Sequence, residues 1–345
     1  MGGGESLIGD GVTQGIVRIG NTVRRPLRPF SLTVQAYLAH LRDAGFTGAP
    51  RARSGMIAGR GAQWRGGFGW LGCCGVGEGE LLAGDGVTQG IVRIGDTVRR
   101  PLRPFSLTVQ AYLAHLRDAG FSAAPLPLGV DEQGREVLSF VPGDVPRNPL
   151  PPETAGDDVL VALALLIRAL HEASAGWVPP PGAVWGGTPA NRGPVTERAE
   201  VVSHRDYYPG NVVFRDGLPV ALIDFDLAMP TTRLYDIANA LWYWAPLRDP
   251  QDRAPAFADA DIPHRVAVFA DAYGMTARHR AELAPFAVDM ARRYHEDSHA
   301  SAELDPVFRK LWEDGAKDVL PRAEAWLREA APAITARLGQ RGRVS

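Results

Sequence analysis

A stretch of 41 residues occurs twice. Residues 10–50 recur at 85–125, offset by 75, and only three positions differ: Asn21 against Asp96, Thr47 against Ser122, and Gly48 against Ala123. A fixed period is the signature of stacked-repeat folds, but those need about three or more units, each burying its neighbour's face. Here two near-identical copies run into unrelated sequence, which excludes a solenoid. Between the copies, residues 51–84 hold 11 glycines among 34 positions, with Cys73 and Cys74 adjacent and neither helical nor strand periodicity. That composition reads as linker. Discounting the offset leaves 270 residues, the size of one two-lobed unit.

Only the second copy continues into further strands, so the first cannot complete the same sheet and is expected to be peripheral, weakly folded, or in competition with the second. Gly90–Ile94 and Thr97–Arg99 read as a hairpin about Gly95-Asp96. Ser106 reads as the N-cap of a helix with Val109, Tyr112, Leu113 and Leu116 on one face, ending at Gly120. Leu126–Val130 and Glu136–Val141 read as two more strands, and the proline-rich 142–152 as a linker. Asp158–Ala173 is an apolar helix, and from Val266 the pattern is helical almost to the end. The expected class is α+β, a small β-rich lobe before a larger helical one. The expected division is a partial duplicate (1–50), a glycine-rich linker (51–79), a small lobe (80–145) and a large lobe (146–345).

Hydrophobic residues are 45% of the chain and charged residues 22%, ample for a folded core. A formal charge of −2 gives no reason to expect nucleic acid or an acidic membrane as partner. The longest apolar run, Val159–Ile167, is too short to span a bilayer, and no secretory signal is evident, so a cytoplasmic protein is expected. Met1–Ser6 fits a myristoylation pattern only formally, within a run of glycines. Lysine occurs only at Lys310 and Lys317, so a site needing a cation before residue 300 must use arginine.

Residues 203–226 concentrate the chemistry. The segment Ser203-His204-Arg205-Asp206-Tyr207-Tyr208-Pro209-Gly210-Asn211 leads to an apolar run, a turn at Arg215-Asp216-Gly217, and a second apolar run that delivers Asp224-Phe225-Asp226. His-Arg-Asp with an Asn five residues after the Asp matches the catalytic loop of protein kinases and their relatives. One carboxylate, Asp206, is placed to accept a hydroxyl proton. Asn211 and Asp224 are brought together by the hairpin as oxygen ligands for Mg²⁺.

The chain resembles the aminoglycoside phosphotransferase and choline kinase-like family, which shows His-x-Asp-x-x-x-x-Asn followed by Ile-Asp-aromatic-acid. Asp226 stands where protein kinases have glycine. Arg233–Trp242 is similar to that family's following helix, as are Val-Arg-Ile-Gly-Asp-Thr-Val-Arg-Arg-Pro and Gly-Arg-Glu-Val-Leu-Ser-Phe-Val-Pro-Gly in the small lobe. The resemblance spans about residues 80–320 and implies a two-lobed protein kinase-like fold. It implies an ATP-dependent phosphotransferase, GTP being the other candidate donor, with Mg²⁺ and a small-molecule hydroxyl acceptor such as an aminoglycoside or amino alcohol. Asp206 would act on the hydroxyl with His204 bracing the loop, and Asn211, Asp224 and Asp226 would serve the metal. Arg99, or its neighbour Arg100, would contact the phosphates with Gly86 and Thr88. Ser139 and Val141 would lie in the adenine-facing connector. Glu296, Asp297, Glu303 and Asp305 would meet a cationic acceptor.

Two departures stand out. The strand cation is arginine rather than lysine, and helix 107–119 has no glutamate to pair with it, its only acid being Asp118. A nucleotide-binding pseudoenzyme without transferase activity is therefore the alternative. His295-Glu296-Asp297-Ser298-His299 matches the zinc motif His-Glu-x-x-His, but its polar middle residues and missing Gly-x-x-His extension argue against it. Nothing in the sequence gives the oligomeric state or the acceptor.

Overall fold

The computed structural model describes residues 5–6, 17–19, 22–24, 80–82, 90–190 and 199–340. The chain forms two compact units, Met1–Cys74 and Gly75–Ser345. In the first, strands β1 (Glu5–Ser6), β2 (Val17–Ile19) and β3 (Thr22–Arg24) make an antiparallel sheet in that order. Val17 pairs with Arg24, as Val92 pairs with Arg99 one repeat later, so identical sequence closes the same hairpin twice. The first copy's expected helix, Cys73, Cys74 and the first four residues lie outside the described residues.

The second unit opens with a five-stranded antiparallel sheet. Its strands are β4 (Glu80–Leu81), β5 (Val92–Ile94), β6 (Thr97–Pro101), β7 (Pro127–Val130) and β8 (Arg135–Ser139), ordered β4-β5-β6-β8-β7. Gly95 turns the β5–β6 hairpin at φ 59°, a conformation glycine adopts without steric cost. Helix α1 (Ser106–Asp118) buries the face the periodicity marked: Val109, Tyr112, Leu113 and Leu116. Its start corrects the sequence expectation. Phe105 occupies the N-cap without a side-chain cap, and the Ser106 hydroxyl accepts from the Arg103 amide and donates to Glu136.

The helical part comprises α2 (Asp157–Ser174), α3 (Arg233–Trp244), α4 (Ile262–Tyr273), α5 (Ala277–Leu304), α6 (Pro306–Leu311) and α7 (Lys317–Gly339). Thr232, Asp261 and Thr276 each accept a backbone N–H of the helix they precede, which sets the starts of α3, α4 and α5. Helix α2 is the apolar centre, with Leu160, Leu163, Ile167 and Leu170 fully buried against α4 and the neighbouring strands. Between α2 and α3 run β9 (Val201–Ser203), the hairpin β10 (Val212–Arg215) and β11 (Leu218–Leu222), and β12 (Met229–Thr231), which pairs with β9. Among the described residues, no helix is long and apolar enough to cross a membrane.

Candidate active site

The loop after β9 is hung from α3. The Arg205 amide donates to Asp236 Oδ1 (3.1 Å), the Tyr207 amide to Asn239 Oδ1 (3.1 Å), and Trp244 Nε1 to the Tyr207 carbonyl (2.7 Å). Arg205 itself takes a left-handed φ of 63°. Asp236 is fully buried; its Oδ2 accepts from His171 Nε2 (2.8 Å), the Ser203 hydroxyl (2.5 Å) and the Tyr207 hydroxyl. Burial alone would raise the Asp236 carboxyl, but the hydrogen bond and field of His171, with the two hydroxyls, hold it below its ordinary range. His204 is also buried, and burial pushes its imidazole down, so it stays neutral at physiological pH. Its Nδ1 accepts the Asp206 amide at 3.2 Å, which leaves Nε2 to donate to the Ile223 carbonyl at 2.8 Å. The ring thereby ties the loop to the end of β11.

Asn211 closes the loop. Its Nδ2 donates to Asp206 Oδ2 at 2.8 Å and to the Asp206 carbonyl at 3.2 Å, which fixes the Asp206 side chain. Val212 pairs with Leu222, and the Ile223 amide bonds the Asn211 carbonyl at 2.9 Å. Asn211 and Asp224 therefore leave the same open end of the β10–β11 hairpin. Asp224 has a left-handed φ of 62°, and a short helical turn at Phe225–Leu227 carries Asp226.

One arginine gathers these acids. Arg100 on β6 donates through Nε to Glu136 Oε2 (2.6 Å) and through Nη1 to Asp224 Oδ1 (3.1 Å). Its Nη2 lies 2.5 Å from Asp226 Oδ1, an ion pair without hydrogen-bond alignment. Burial opposes the charge on Arg100, but Asp226, Glu136 and Asp224 outweigh it, and the guanidinium stays protonated. Burial, together with the charge of Asp224, raises the Asp226 carboxyl well above its usual range despite Arg100. Strand alternation sends Arg99 to the other face, where Nη1 donates to Thr97 Oγ1 (2.7 Å) and Nε sits 3.5 Å from Asp131. The sequence put Arg99 first; in the structure it is Arg100 that meets Asp224.

The sequence found no glutamate on the helix, and the carboxylate comes instead from the next strand. Glu136 stands directly opposite Arg100 in the β6–β8 ladder and is fully buried. Ser106 Oγ and Gln110 Nε2, both on α1, donate to it at 3.2 Å. The available signal was the cross-strand register, which pairs these two positions once the two strands are aligned. Asp236 was missed in another way: it lay within the family-like helix segment but carried no assigned part.

Gly86 and Thr88 fall outside the described residues. Ser139 accepts the Leu126 amide on Oγ at 2.8 Å, and with Val141 it lines a cavity of about 300 Å³ beside Arg117, Arg215 and Ala221. Glu296 pairs with Arg292 (2.6 Å) on an exposed helix face, Glu303 is exposed, Asp297 is half-buried on the same helix, and Asp305 caps α6 through the Val307 amide. The rings that surround the loop are Tyr208 against Tyr243 (5.7 Å) and Tyr235 beneath the Arg205 guanidinium (4.7 Å). Burial and the charge of Asp206 push the Tyr243 phenol up, which places that hydroxyl in the field of the loop carboxylate. His295 and His299 both pack on Trp312, and the described residues hold no cluster of three or more His, Cys, Asp or Glu suited to a metal.

Mg²⁺ fits the donors at the hairpin end. It takes hard oxygen ligands, commonly one or two carboxylates plus substrate phosphates, and Asn211, Asp224 and Asp226 offer an amide oxygen and two carboxylates there.

A family model described as a phosphotransferase enzyme family matches residues 183–286, which hold the whole loop, hairpin and acid pair. The trifolitoxin immunity protein of Rhizobium leguminosarum bv. trifolii is 31% identical over 242 residues, covering 67% of this chain and 90% of that protein. A choline/ethanolamine kinase family protein from Mesorhizobium loti superposes with a TM-score of 0.50 at 18% identity, covering 76% of this chain and 92% of that one. The GDP complex of aminoglycoside 2′-phosphotransferase-IIIa gives 0.41 at 13% identity, covering 77% and 94%. The small sheet, the helical part and the hairpin between them are those of the kinase-like fold, and the chain belongs to the phosphotransferase enzyme family.

Proposed function

We propose that the chain transfers the γ-phosphoryl group of ATP to a hydroxyl of a small molecule. The observation that carries this reading is the convergence of Asp206, fixed by Asn211, with Asp224 and Asp226 under the buried Arg100. Phosphoryl transfer is mostly positioning and charge compensation, and it needs these groups. Asp206 accepts the proton as the acceptor oxygen bonds to the γ-phosphorus. The bond from that phosphorus to the β–γ bridging oxygen breaks, and ADP leaves with its electron pair. Arg100 offers a permanent cation with a planar fork for phosphate oxygens. Mg²⁺ held by Asn211, Asp224 and Asp226 would offset phosphate charge when bound. Neutral His204 keeps the loop backbone in place without taking up a proton.

The names of the related structures put amino alcohols and aminoglycosides first in an acceptor panel, the relative bound to GDP adds GTP as a donor, and the immunity relative adds toxins. The direct experiment is to incubate the chain with Mg²⁺, γ-labelled ATP and that panel. Label transferred to an acceptor, dependent on Mg²⁺, is the expected result. The replacement of a strand lysine by arginine favours the second reading, a pseudoenzyme. Mg·ATP binding with no transfer and no ATP consumption would decide for it.

A further inference from the structure

We infer that Glu136 is a positioning residue for the phosphate-facing arginine, supplying from strand β8 the carboxylate that kinase-like folds take from a helix. The inference rests on the phosphotransferase reading and adds a residue that lies in the family-like segment Gly134–Gly143 but had no assigned part there.

Glu136 uses one edge of Arg100 and leaves the other. Its Oε2 takes Nε at 2.6 Å, while Nη1 and Nη2 point to Asp224 and Asp226. A guanidinium is planar, so anchoring Nε–H fixes the plane in which both Nη groups lie. Glu136 is itself over-determined, because Ser106 and Gln110 donate to it and Gln110 also bonds the Gly129 carbonyl of β7 at 3.2 Å. Helix α1 thus acts on the phosphate site through two neutral donors. Its orientation reaches Arg100 by way of the strand carboxylate, and Tyr112 of the same helix packs on Phe225 in the turn that carries Asp226. Because Gln110 touches Glu136 directly, the charge should be movable from one position to the other.

The test is calorimetric titration of the full chain with Mg·ATP, alongside circular dichroism and thermal melting. Glu136→Gln is expected to fold cooperatively and to bind Mg·ATP about tenfold or more weakly, the loss of one charge-assisted contact. Arg100→Gln is expected to lose at least as much, and the double variant little beyond Arg100→Gln alone. Gln110→Glu combined with Glu136→Gln, which returns the carboxylate from the helix, is expected to recover part of the affinity. If Glu136→Gln fails to fold, Glu136→Asp keeps the charge and is expected to bind at intermediate strength. Wild-type affinity in a folded Glu136→Gln or Glu136→Asp, or losses that simply multiply in the double variant, would overturn the inference while leaving the phosphotransferase reading intact. No binding of Mg·ATP or Mg·GTP by the wild-type chain would overturn the reading itself, and the inference with it.

Discussion

Asp236 shows how one buried side chain can hold the loop after β9 from several directions. It accepts from a backbone amide, two hydroxyls and an imidazole while fully buried, so removing its charge leaves several donors without their partner. Asp236→Asn is expected to cost roughly 3 kcal/mol in urea unfolding at pH 7.5. The pH dependence follows from the depressed native pKa. The unfolded carboxyl, near about 3.9, takes its proton before the native one does, so this stabilisation is present above that pH and is lost as acid titrates through the lower native value. Wild type and variant should therefore converge in stability below about pH 4. A constant gap across that range would contradict the assignment. His204 and Asp206 were legible in the sequence because their spacing is short and local. Arg100 against Arg99 was not, because a single residue of strand phase decides which of two adjacent arginines faces the acids.

At the scale of elements, the hairpin and helices were legible and their partners were not. Periodicity located α1, α2 and the β5–β6 turn, since each buries a face set by local sequence. It could not show that β8 lies beside β6, because that neighbour arrives 36 residues later and is fixed by the sheet rather than by any local preference. The segment between α2 and β9 makes the same point. Gly186 sits so close to the turn Phe225–Leu227 that a Cβ there would overlap the Asp226 carbonyl oxygen, and the Val184 amide bonds Thr108 of α1 at 3.0 Å. Nothing in the sequence ties residue 186 to residue 226. Gly186→Ala is expected to destabilise the fold by about 1–3 kcal/mol through overpacking and to weaken Mg·ATP binding, as read by melting and calorimetry. An unchanged affinity would show that the loop end yields without moving Asp226.

For the whole molecule, the repeat poses the main question. The second unit carries every assigned residue, with its own core and sheet, whereas the repeated sequence in the first ends at Pro50, before the stretch that forms β8 and carries Glu136 in the second. Residues 76–345 alone are expected to fold, to melt within a few degrees of the full chain and to bind Mg·ATP with the same affinity. A loss of cooperative unfolding would show that the first 75 residues complete the structure. The central claim is chemical, and replacing the loop carboxylate tests it most directly. Asp206→Asn keeps the size of the side chain and removes its capacity to take a proton. With the acceptor that the panel identifies, turnover is expected to fall by about a hundredfold or more, while calorimetry still registers Mg·ATP at near wild-type affinity. Turnover unchanged in Asp206→Asn would contradict the account.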